Sequence, residues 1–301
     1  MQPVDFPSLF SLRASAGGRF VTCGAHIPGP RLFGGQLIAQ SLLAAEQTVS
    51  APFVVHSLHA YFVNAGHSTQ PVEFRIKRIR EGRRFVNRRV EAWQGRRLLL
   101  NFQASFQAPT GGSEHSMAMP DVPPPELLPN ISTRALECLA AVNEGARERW
   151  LADPGWEFRA VEPFAPSPPQ ARAPLRHFWF RAKFERPEVL TARAALAFVS
   201  DLHLLETALL PHGVRWPPVG LHGASLDHAI WFYAEPRIDE WMLYAMDSPR
   251  AGSSRFFARG SIFNRRGEVL ALTTQEGTFS LPALPANETC PVAAPRRPAP
   301  T

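Results

Sequence analysis

Apolar and polar positions along the chain fall into two long blocks whose predicted elements come in the same order. Each block begins with a segment whose apolar residues lie three or four apart, FGGQLIAQSLLAAEQTV at 33–49 and TARAALAFVSDLHLLETALL at 191–210. This spacing predicts a helix. Alternating runs follow each helix and predict strands, with turns at glycine-containing pairs such as Glu81-Gly82 and Gln94-Gly95.

Short landmarks recur in both blocks at similar separations. The matched landmarks are Ser57-Leu58 with Ser225-Leu226, Arg84-Phe85 with Arg255-Phe256, and Gln103 with Gln275. A repeat period well above 100 residues indicates a duplicated domain rather than a solenoid of short repeats. We therefore expect an α+β fold, in which two antiparallel sheets, each wrapped around its helix, follow one another in the chain. A ligand slot between the two halves would be natural for such a fold.

Proline-rich segments set the domain boundaries. We expect an N-terminal domain at 1–108, a second domain at 155–280, and a linker with a connecting helix at 109–154, capped by Ser132 or Thr133. The last segment, 281–301, has the composition of a disordered tail.

Composition restricts the class of protein. The three cysteines of the 301 residues, Cys23, Cys138 and Cys290, are far apart and form no C-x-x-C pair, which argues against a disulfide framework and a zinc site. The chain contains no run of about 18 apolar residues, so we expect no transmembrane helix. The first residues lack the pattern of a secretory signal, so we expect a cytoplasmic protein.

A net charge of +6 favours an acidic partner, such as a nucleotide-bearing substrate, a nucleic acid or a membrane surface. The basic residues concentrate at 75–97, RIKRIREGRRFVNRRVEAWQGRR. A solvated strand face is the simpler interpretation of this run. No nucleic-acid-binding motif accompanies it, so we expect no nucleic-acid partner.

Familiar catalytic motifs are missing, and a set of polar residues in the second block remains. The chain has no G-x-S-x-G, no H-E-x-x-H and no glycine-rich phosphate loop. Asp201 lies in an otherwise apolar helix, Ser225 begins a strand, and Gln275 ends the last strand. Together a carboxylate, a hydroxyl and an amide could hold and activate a water molecule. The matching position of Asp201 in the first block falls near Gly34-Gly35, where no carboxylate occurs.

Four residues of the first block are candidates for substrate binding. The Gly34-Gly35 pair at a helix start permits either close helix packing or approach of the backbone to a ligand. We add Gln36 and His59 as further candidates. Alternation places His56 and His59 on opposite faces of a strand, so they form no obvious metal pair and we expect no metal.

The order of motifs resembles the acyl-CoA thioesterase II family, whose members have a double-hotdog fold and include peroxisomal enzymes. The matching segments run from about residue 31 to 280 and are RLFGGQLIAQSLLAA, VHSLHAYFV, ASFQ, FVSDLHLLETALLPHG, ASLDHAIWF, WMLYAMDSP, RGSIF and TTQEG. The resemblance implies that Asp201, Ser225 and Gln275 activate water, which hydrolyses acyl-CoA to fatty acid and CoA. It implies no cofactor, no metal and no covalent intermediate, and we expect a homo-oligomer.

The chain departs from the family at His67, where an acidic residue is common, and at Tyr233, where a histidine is usual. Its last residues are APT rather than a Ser-Lys-Leu type signal, so peroxisomal import by that signal is unsupported. Three alternatives stay open: a non-catalytic acyl-CoA sensor, a nucleic-acid-binding protein that uses 75–97, and an enoyl-CoA hydratase. The hydratase would need a histidine five residues after Asp201, where the chain has Glu206.

Overall fold

The computed structural model describes most of the two predicted domains. The described residues are 6–24, 26–27, 31–130, 155–162, 170–185, 190–214 and 223–279. The predicted connecting helix and the predicted C-terminal tail lie outside these ranges.

Two α-helices and thirteen strands make up the regular structure of the described residues. The first half contains α1 (Gly34–Glu46) and the strands β1 (Leu12–Ser15), β2 (Arg19–Thr22), β3 (Val54–Phe62), β4 (Glu73–Glu81), β5 (Phe85–Gln94) and β6 (Arg97–Gln107). The second half contains α2 (Ala192–Ser200) and the strands β7 (Trp156–Ala160), β8 (Leu175–Ala182), β9 (Gly223–Ser225), β10 (Asp227–Phe232), β11 (Met242–Gly252), β12 (Arg255–Asn264) and β13 (Val269–Phe279). Short 3-10 helices occur at Phe6–Phe10, Pro125–Leu127 and Leu205–His212.

All thirteen strands of the described residues belong to one antiparallel sheet. Its order is β1-β2-β4-β5-β6-β3-β10-β13-β12-β11-β8-β7, and β9 pairs with β13 outside this path. The halves therefore join edge to edge at β3 and β10, where Ala60 pairs with His228. This joining covers one edge strand of each half, which would otherwise expose unpaired backbone groups. The predicted α+β arrangement of two tandem halves is confirmed.

The two helices form the centre of the core. Ile38 and Leu42 of α1 and Leu196 and Phe198 of α2 are fully buried. A helix that is apolar on nearly all sides is stable only when it is packed on nearly all sides, and here each helix contacts both the sheet and the other helix. The Phe33 ring meets the Phe198 ring edge to face, with centroids 5.1 Å apart.

The predicted helix at 191–210 is interrupted, which corrects the sequence interpretation. Thr191 caps α2 by accepting a hydrogen bond from the N–H of Ala194 at 3.1 Å, and the helix ends at Ser200 with Asp201 as its C-cap. His203 then adopts a left-handed backbone conformation with φ 63°. The apolar spacing hid this break because the 3-10 helix that follows, Leu205–His212, is also buried in the core.

Ala192–His212 is the one described segment with the length and composition of a membrane span. Most of it is buried inside the protein. Burial in the core therefore accounts for its apolar composition.

The predicted linker packs against the second half. Met119, Val122 and Leu128 contact an apolar cluster on the outer face of the sheet that includes Trp179 and Trp241. The indole N–H of Trp179 also donates to the carbonyl oxygen of Pro123 at 2.9 Å. This part of the linker is therefore a packed strap, although it has little regular secondary structure.

The basic run at 75–97 forms strands and turns, as the simpler interpretation predicted. Arg75 is paired with Glu73 at 2.6 Å, and Arg89 with Glu91 at 2.8 Å. Arg88 is almost fully buried and hydrogen-bonded to Thr48. Several of these cations are therefore already neutralised by carboxylates of the same sheet.

Candidate active site

Three side chains from separate elements of the second half meet at one point. The amide nitrogen Nε2 of Gln275 donates to Oδ1 of Asp201 at 2.6 Å and contacts Oγ of Ser225 at 2.7 Å. Gln275 is buried, whereas Asp201 and Ser225 keep partly accessible surface. The structure thus brings together the three residues that the sequence singled out, called here the Asp-Ser-Gln cluster, and leaves two of them within reach of water.

A glycine two residues after Gln275 allows this approach. Ser225 ends β9, which pairs with β13 so that Ser225 lies opposite Gly277. A Cβ atom at Gly277 would collide with Leu205 and would lie 2.9 Å from the carbonyl oxygen of Ala224. The glycine of TTQEG therefore lets β9 and the 3-10 helix pack closely beside β13.

The start of α1 contacts the cluster from the other half. The backbone N–H of Gly35 donates to the Asp201 carboxylate. A Cβ atom at Gly34 would lie 2.8 Å from Oδ2 of Asp201. The N-terminus of a helix carries partial positive charge, which favours a carboxylate at this position. Gly34 and Gly35 of the first half therefore contact Asp201 of the second half. This corrects the sequence comparison, which matched Gly34-Gly35 with Asp201 as equivalent positions of the two halves.

Burial dominates the electrostatics of Asp201. It raises the pKa of the carboxyl to about 6, while the hydrogen bonds from Gln275 and Gly35 act in the opposite direction. A carboxylate with this pKa is largely ionised at neutral pH and is a stronger base than an exposed aspartate. The site therefore contains a candidate general base.

The first half also has a buried carboxylate, at the other junction between the helices. Glu46 ends α1, and its Oε2 accepts a hydrogen bond from Oγ1 of Thr191, the N-cap of α2, at 3.0 Å. Burial raises the pKa of Glu46 to about 7. A cavity of about 270 Å³ adjoins it and is lined also by Arg193 and Glu235. Each half therefore carries a largely buried carboxylate at a junction of the two helices, although the position matched to Asp201 in the sequence, near Gly34-Gly35, has none.

The matched glutamines lie on opposite faces of the sheet. Gln275 points inward and is buried, whereas Gln103 is exposed on the outer face. In β6 the buried positions are Phe102 and Ala104, on either side of Gln103. The shared glutamine is thus a similarity of sequence without a similarity of position, and only Gln275 belongs to the cluster.

Two candidate substrate-binding residues lie elsewhere. Gln36 accepts a hydrogen bond from the N–H of Ile27 at 3.1 Å, and its amide nitrogen contacts His26 at 2.9 Å. His59 lies on the outer face, where its ring meets that of Trp231 edge to face at 5.2 Å. The structure does not bring either residue to the Asp-Ser-Gln cluster. Within the described ranges, no group of three histidine, cysteine, aspartate or glutamate side chains could hold a metal ion.

His228 lies at the site, although no sequence pattern singled it out. Ala229 pairs with Thr274, which puts His228 beside Gln275 on the inner face. The imidazole is fully buried, and its Nε2 lies 2.9 Å from Oγ of Ser200. Burial lowers its pKa to about 4, and the Gln275 side chain acts in the opposite direction. His228 is therefore neutral at physiological pH.

Comparison with known proteins places this arrangement in a family. Residues 25–107 match the family described as the acyl-CoA thioesterase N-terminal domain, and residues 120–279 match the acyl-CoA thioesterase C-terminal domain. The chain belongs to the acyl-CoA thioesterase family. The predicted family is thereby confirmed, and with it the expected class of enzyme, a thioester hydrolase.

Individual thioesterases are similar over most of their length. The chain is 36% identical to acyl-coenzyme A thioesterase 8 of Homo sapiens over 279 residues, which cover 85% of this chain and 83% of the relative. It is 34% identical to acyl-CoA thioesterase 2 of Haemophilus influenzae, with 82% and 87% covered. A crystal structure of an acyl-CoA thioesterase II from Mycobacterium marinum is 35% identical with a TM-score of 0.74, and covers 92% of this chain and 99% of that one. A hot dog fold protein from Alicyclobacillus acidocaldarius, at 20% identity and a TM-score of 0.74 over 92% and 98% of the chains, supports the fold alone.

Proposed function

We propose that this chain hydrolyses acyl-CoA thioesters to free fatty acid and CoA, with water activated by Asp201, Ser225 and Gln275. The observation that carries the assignment of these residues is the Gln275 amide, which contacts both the carboxylate and the hydroxyl. The contact between Asp201 and the first turn of α1 adds a second source of support.

In the proposed mechanism, Ser225 and Gln275 orient a water molecule and Asp201 accepts its proton. The resulting hydroxide forms a bond to the thioester carbonyl carbon. The first turn of α1 has N–H groups without intrahelical acceptors, and these stabilise the negative charge on the carbonyl oxygen. The C–S bond then breaks and CoA leaves as a thiolate, which is a good leaving group and needs no strong acid. The proton held by Asp201 passes to the thiolate or to solvent, so the carboxylate is regenerated.

A thiol-release assay over a series of acyl chain lengths tests the proposal. We expect turnover of at least one acyl-CoA by the purified chain. Tight acyl-CoA binding without thiol release would favour the non-catalytic sensor instead. Hydration of an enoyl-CoA without thiol release would favour the hydratase, although Glu206 is already engaged by Arg176 and His203.

We also propose that the enzyme is a cytoplasmic homo-oligomer. The outer face of the seam between the halves supports self-association, because Tyr61 and Tyr233 are each 64% exposed there. Exposed aromatic side chains are enriched at interfaces between proteins. Light scattering after size-exclusion chromatography tests the assembly, and a monomer at micromolar concentration would contradict it. Fractionation of the native cell tests the location, and recovery of the protein in peroxisomes would contradict the cytoplasmic assignment.

A further inference from the structure

Irregularities in strand pairing show which residues of the two halves are equivalent. The register between β5 and β6 shifts after Ala92, and the register between β12 and β13 shifts in the same way after Ile262. Alignment of the two shifts places Gln275 at the position of Ala104. The position that carries the amide in the second half is therefore apolar in the first.

The same alignment locates the counterpart of the Asp-Ser-Gln cluster in the first half. Ser225 pairs with Gly277, and their counterparts Val55 and Phe106 also pair with each other. Val55 and Phe106 both line the cavity of about 270 Å³ beside Glu46. This cavity therefore occupies in the first half the place that the cluster occupies in the second.

The two helices meet at this cavity as they meet at the cluster, with the helices exchanged. At the cluster, Asp201 follows the end of α2 and accepts a hydrogen bond from Gly35 in the first turn of α1. At the cavity, Glu46 ends α1 and accepts a hydrogen bond from Thr191 at the start of α2. Arg193 is the second residue of α2, as Gly35 is the second residue of α1. A carboxyl group and a helix start thus face each other at both places.

The cavity lacks the groups that would orient a water molecule. The side chains of Val55 and Ala104 have no polar atom, whereas the equivalent Ser225 and Gln275 supply a hydroxyl and an amide. General base catalysis needs the water placed at the base as well as the base itself. The cavity can therefore hold a thioester without the arrangement that is proposed to hydrolyse it.

We propose that the cavity beside Glu46, called here the second site, binds the thioester end of a second acyl-CoA without hydrolysing it. The proposal rests on the proposed function, which assigns acyl-CoA as the substrate. Ligand pockets usually have a volume of about 300 Å³ or more. At about 270 Å³ the second site takes the thioester and the groups next to it, and the nucleotide of CoA lies outside.

Arg193 supplies a hydrogen-bond donor inside the second site. Its guanidinium group donates from Nη1 to the carbonyl oxygen of Val55 and from Nε to Glu235 at 2.9 Å. Its Nη2 group has no hydrogen-bond partner among the described residues. Because Arg193 lines the cavity, Nη2 is available to the carbonyl oxygen of a thioester.

Exposed arginines beside the cavity suit the phosphate groups of CoA. The turn between β4 and β5 carries Arg83 and Arg84, which are exposed and have no carboxylate partner within the described part of the chain. The carbonyl oxygen of Arg84 accepts from the N–H of Ala108, two residues after Phe106 of the cavity wall. Arginine binds phosphate through charge-assisted hydrogen bonds. A nucleotide that lies outside the cavity therefore meets cationic side chains at this turn.

Calorimetric titration with an S-alkyl-CoA thioether, which has no thioester to hydrolyse, counts the sites. We expect two molecules to bind per native chain. Val54 lines the cavity and is 39% exposed, so Val54→Trp should fill the second site from its rim and leave one molecule bound. Ala224→Trp is the matched variant, because Ala224 is the counterpart of Val54 beside the cluster, and it should lose the other molecule. A native chain that binds one molecule, or a Val54→Trp chain that still binds two, would overturn the proposal.

Arg84→Ala tests the phosphate contact at an exposed position, where the fold is not at risk. In the Ala224→Trp chain, which has only the second site open, we expect it to raise the Kd of the thioether by about tenfold, the equivalent of one hydrogen bond to a charged group. Arg96→Ala is the control, because Arg96 is exposed at the opposite end of β5. Equal Kd values for the two variants would overturn the assignment of acyl-CoA to this cavity.

Thiol release from a hydrolysable acyl-CoA distinguishes this inference from the proposed function. Thiol release by a native chain that binds one thioether molecule would show that only the second site is wrong. Two bound thioether molecules without thiol release would show that the proposed hydrolysis is wrong and would support the second site. Both measurements use the native protein and so do not depend on the folding of a variant.

Discussion

The Asp201 carboxylate of the second half accepts a hydrogen bond from the backbone N–H of Gly35 in the first half. The proposed base and the helix start that faces it thus come from different halves of a duplicated chain. Neither half contains the complete site by itself. The same contact explains why two consecutive glycines begin α1, since side chains at these positions would press against Asp201 and against the Phe198 carbonyl group.

The role of Asp201 as general base is tested by Asp201→Asn. The amide keeps the shape of the side chain but cannot accept a proton from water, so we expect kcat to fall by about 10²-fold or more. Thiol release measures the loss, and circular dichroism checks that the fold is retained. Asp239→Asn is the matched control, because Asp239 is exposed and is not part of the cluster. An Asp201→Asn variant with more than half of the native rate would exclude the mechanism.

The acid side of the pH-activity profile should report the ionisation of Asp201. Because burial raises the pKa of this carboxyl to about 6, the fraction in the basic form rises with pH through that value. We expect kcat/KM to increase tenfold per pH unit below about 6 and to level off above it. The profile is measured with a substrate whose hydrolysis is slow enough for chemistry to limit the rate. A profile that is flat down to pH 4.5 would contradict this assignment.

Sequence patterns predicted the elements and the cluster, but not the contacts between halves. Alternation located the strands, and the short motifs identified Asp201, Ser225 and Gln275. The break after Ser200 was missed because apolar spacing continues through it into a second buried segment. The match of Gln103 with Gln275 failed because a pattern of letters does not fix which face of a strand a residue occupies. The place of Gly35 beside Asp201 depends on packing between residues that are far apart in the chain.

Gly34→Ala should reduce activity by crowding Asp201. The added Cβ atom would lie 2.8 Å from Oδ2 and 3.0 Å from the Phe62 ring, so the carboxylate must move. We expect kcat/KM to fall by about tenfold or more, since a shift of about 1 Å in a catalytic group has effects of this size or larger. Gly111→Ala is the control, because a Cβ atom there has no neighbour within 4 Å. Similar activity in the two variants would show that the approach of α1 to Asp201 is unimportant for the reaction.

Glu206→Gln should destabilise the turn that follows Asp201. Oε2 of Glu206 accepts hydrogen bonds from His203 at 2.9 Å and from Arg176 at 3.0 Å, and all three side chains are largely buried. Removal of the charge leaves Arg176 without its carboxylate, so we expect a loss of about 3 kcal/mol in the free energy of unfolding. Chemical denaturation at pH 7 measures it.

The exposed pair between Glu268 and Arg266 provides the control for this variant. Glu268→Gln should change the free energy of unfolding by less than about 1 kcal/mol, because exposed ion pairs contribute little.

The pH dependence of the free energy of unfolding gives a second test of Glu206. Although burial alone would raise the pKa of Glu206, His203 and Arg176 hold it below its usual range. The stabilisation is therefore present above the unfolded pKa and is lost as pH falls through the folded pKa. Equal stability of the two variants at pH 7 would contradict a structural role for Glu206.

Glu46 should make the native protein less stable as pH rises, in contrast to Glu206. Burial raises its pKa from 4.5 to about 7, so the folded state binds the proton more tightly than the unfolded state. The contribution of the neutral acid to stability is therefore fully present below about pH 4.5 and is lost as pH rises through about 7. Because part of the side chain reaches solvent, we expect the loss to be about 1–3 kcal/mol.

Glu46→Gln removes this titration while it keeps an oxygen that can accept the hydrogen bond from Thr191. The variant should therefore match or exceed the native protein in stability at pH 8 and lose this advantage at pH 5. Thermal unfolding at both pH values measures the difference, and Glu185→Gln, at an exposed position, is the control. A variant that is equally destabilised at both pH values would show that Glu46 is ionised in the folded state. The junction of α1 and α2 at Glu46 would then hold a negative charge, as their other junction does at Asp201.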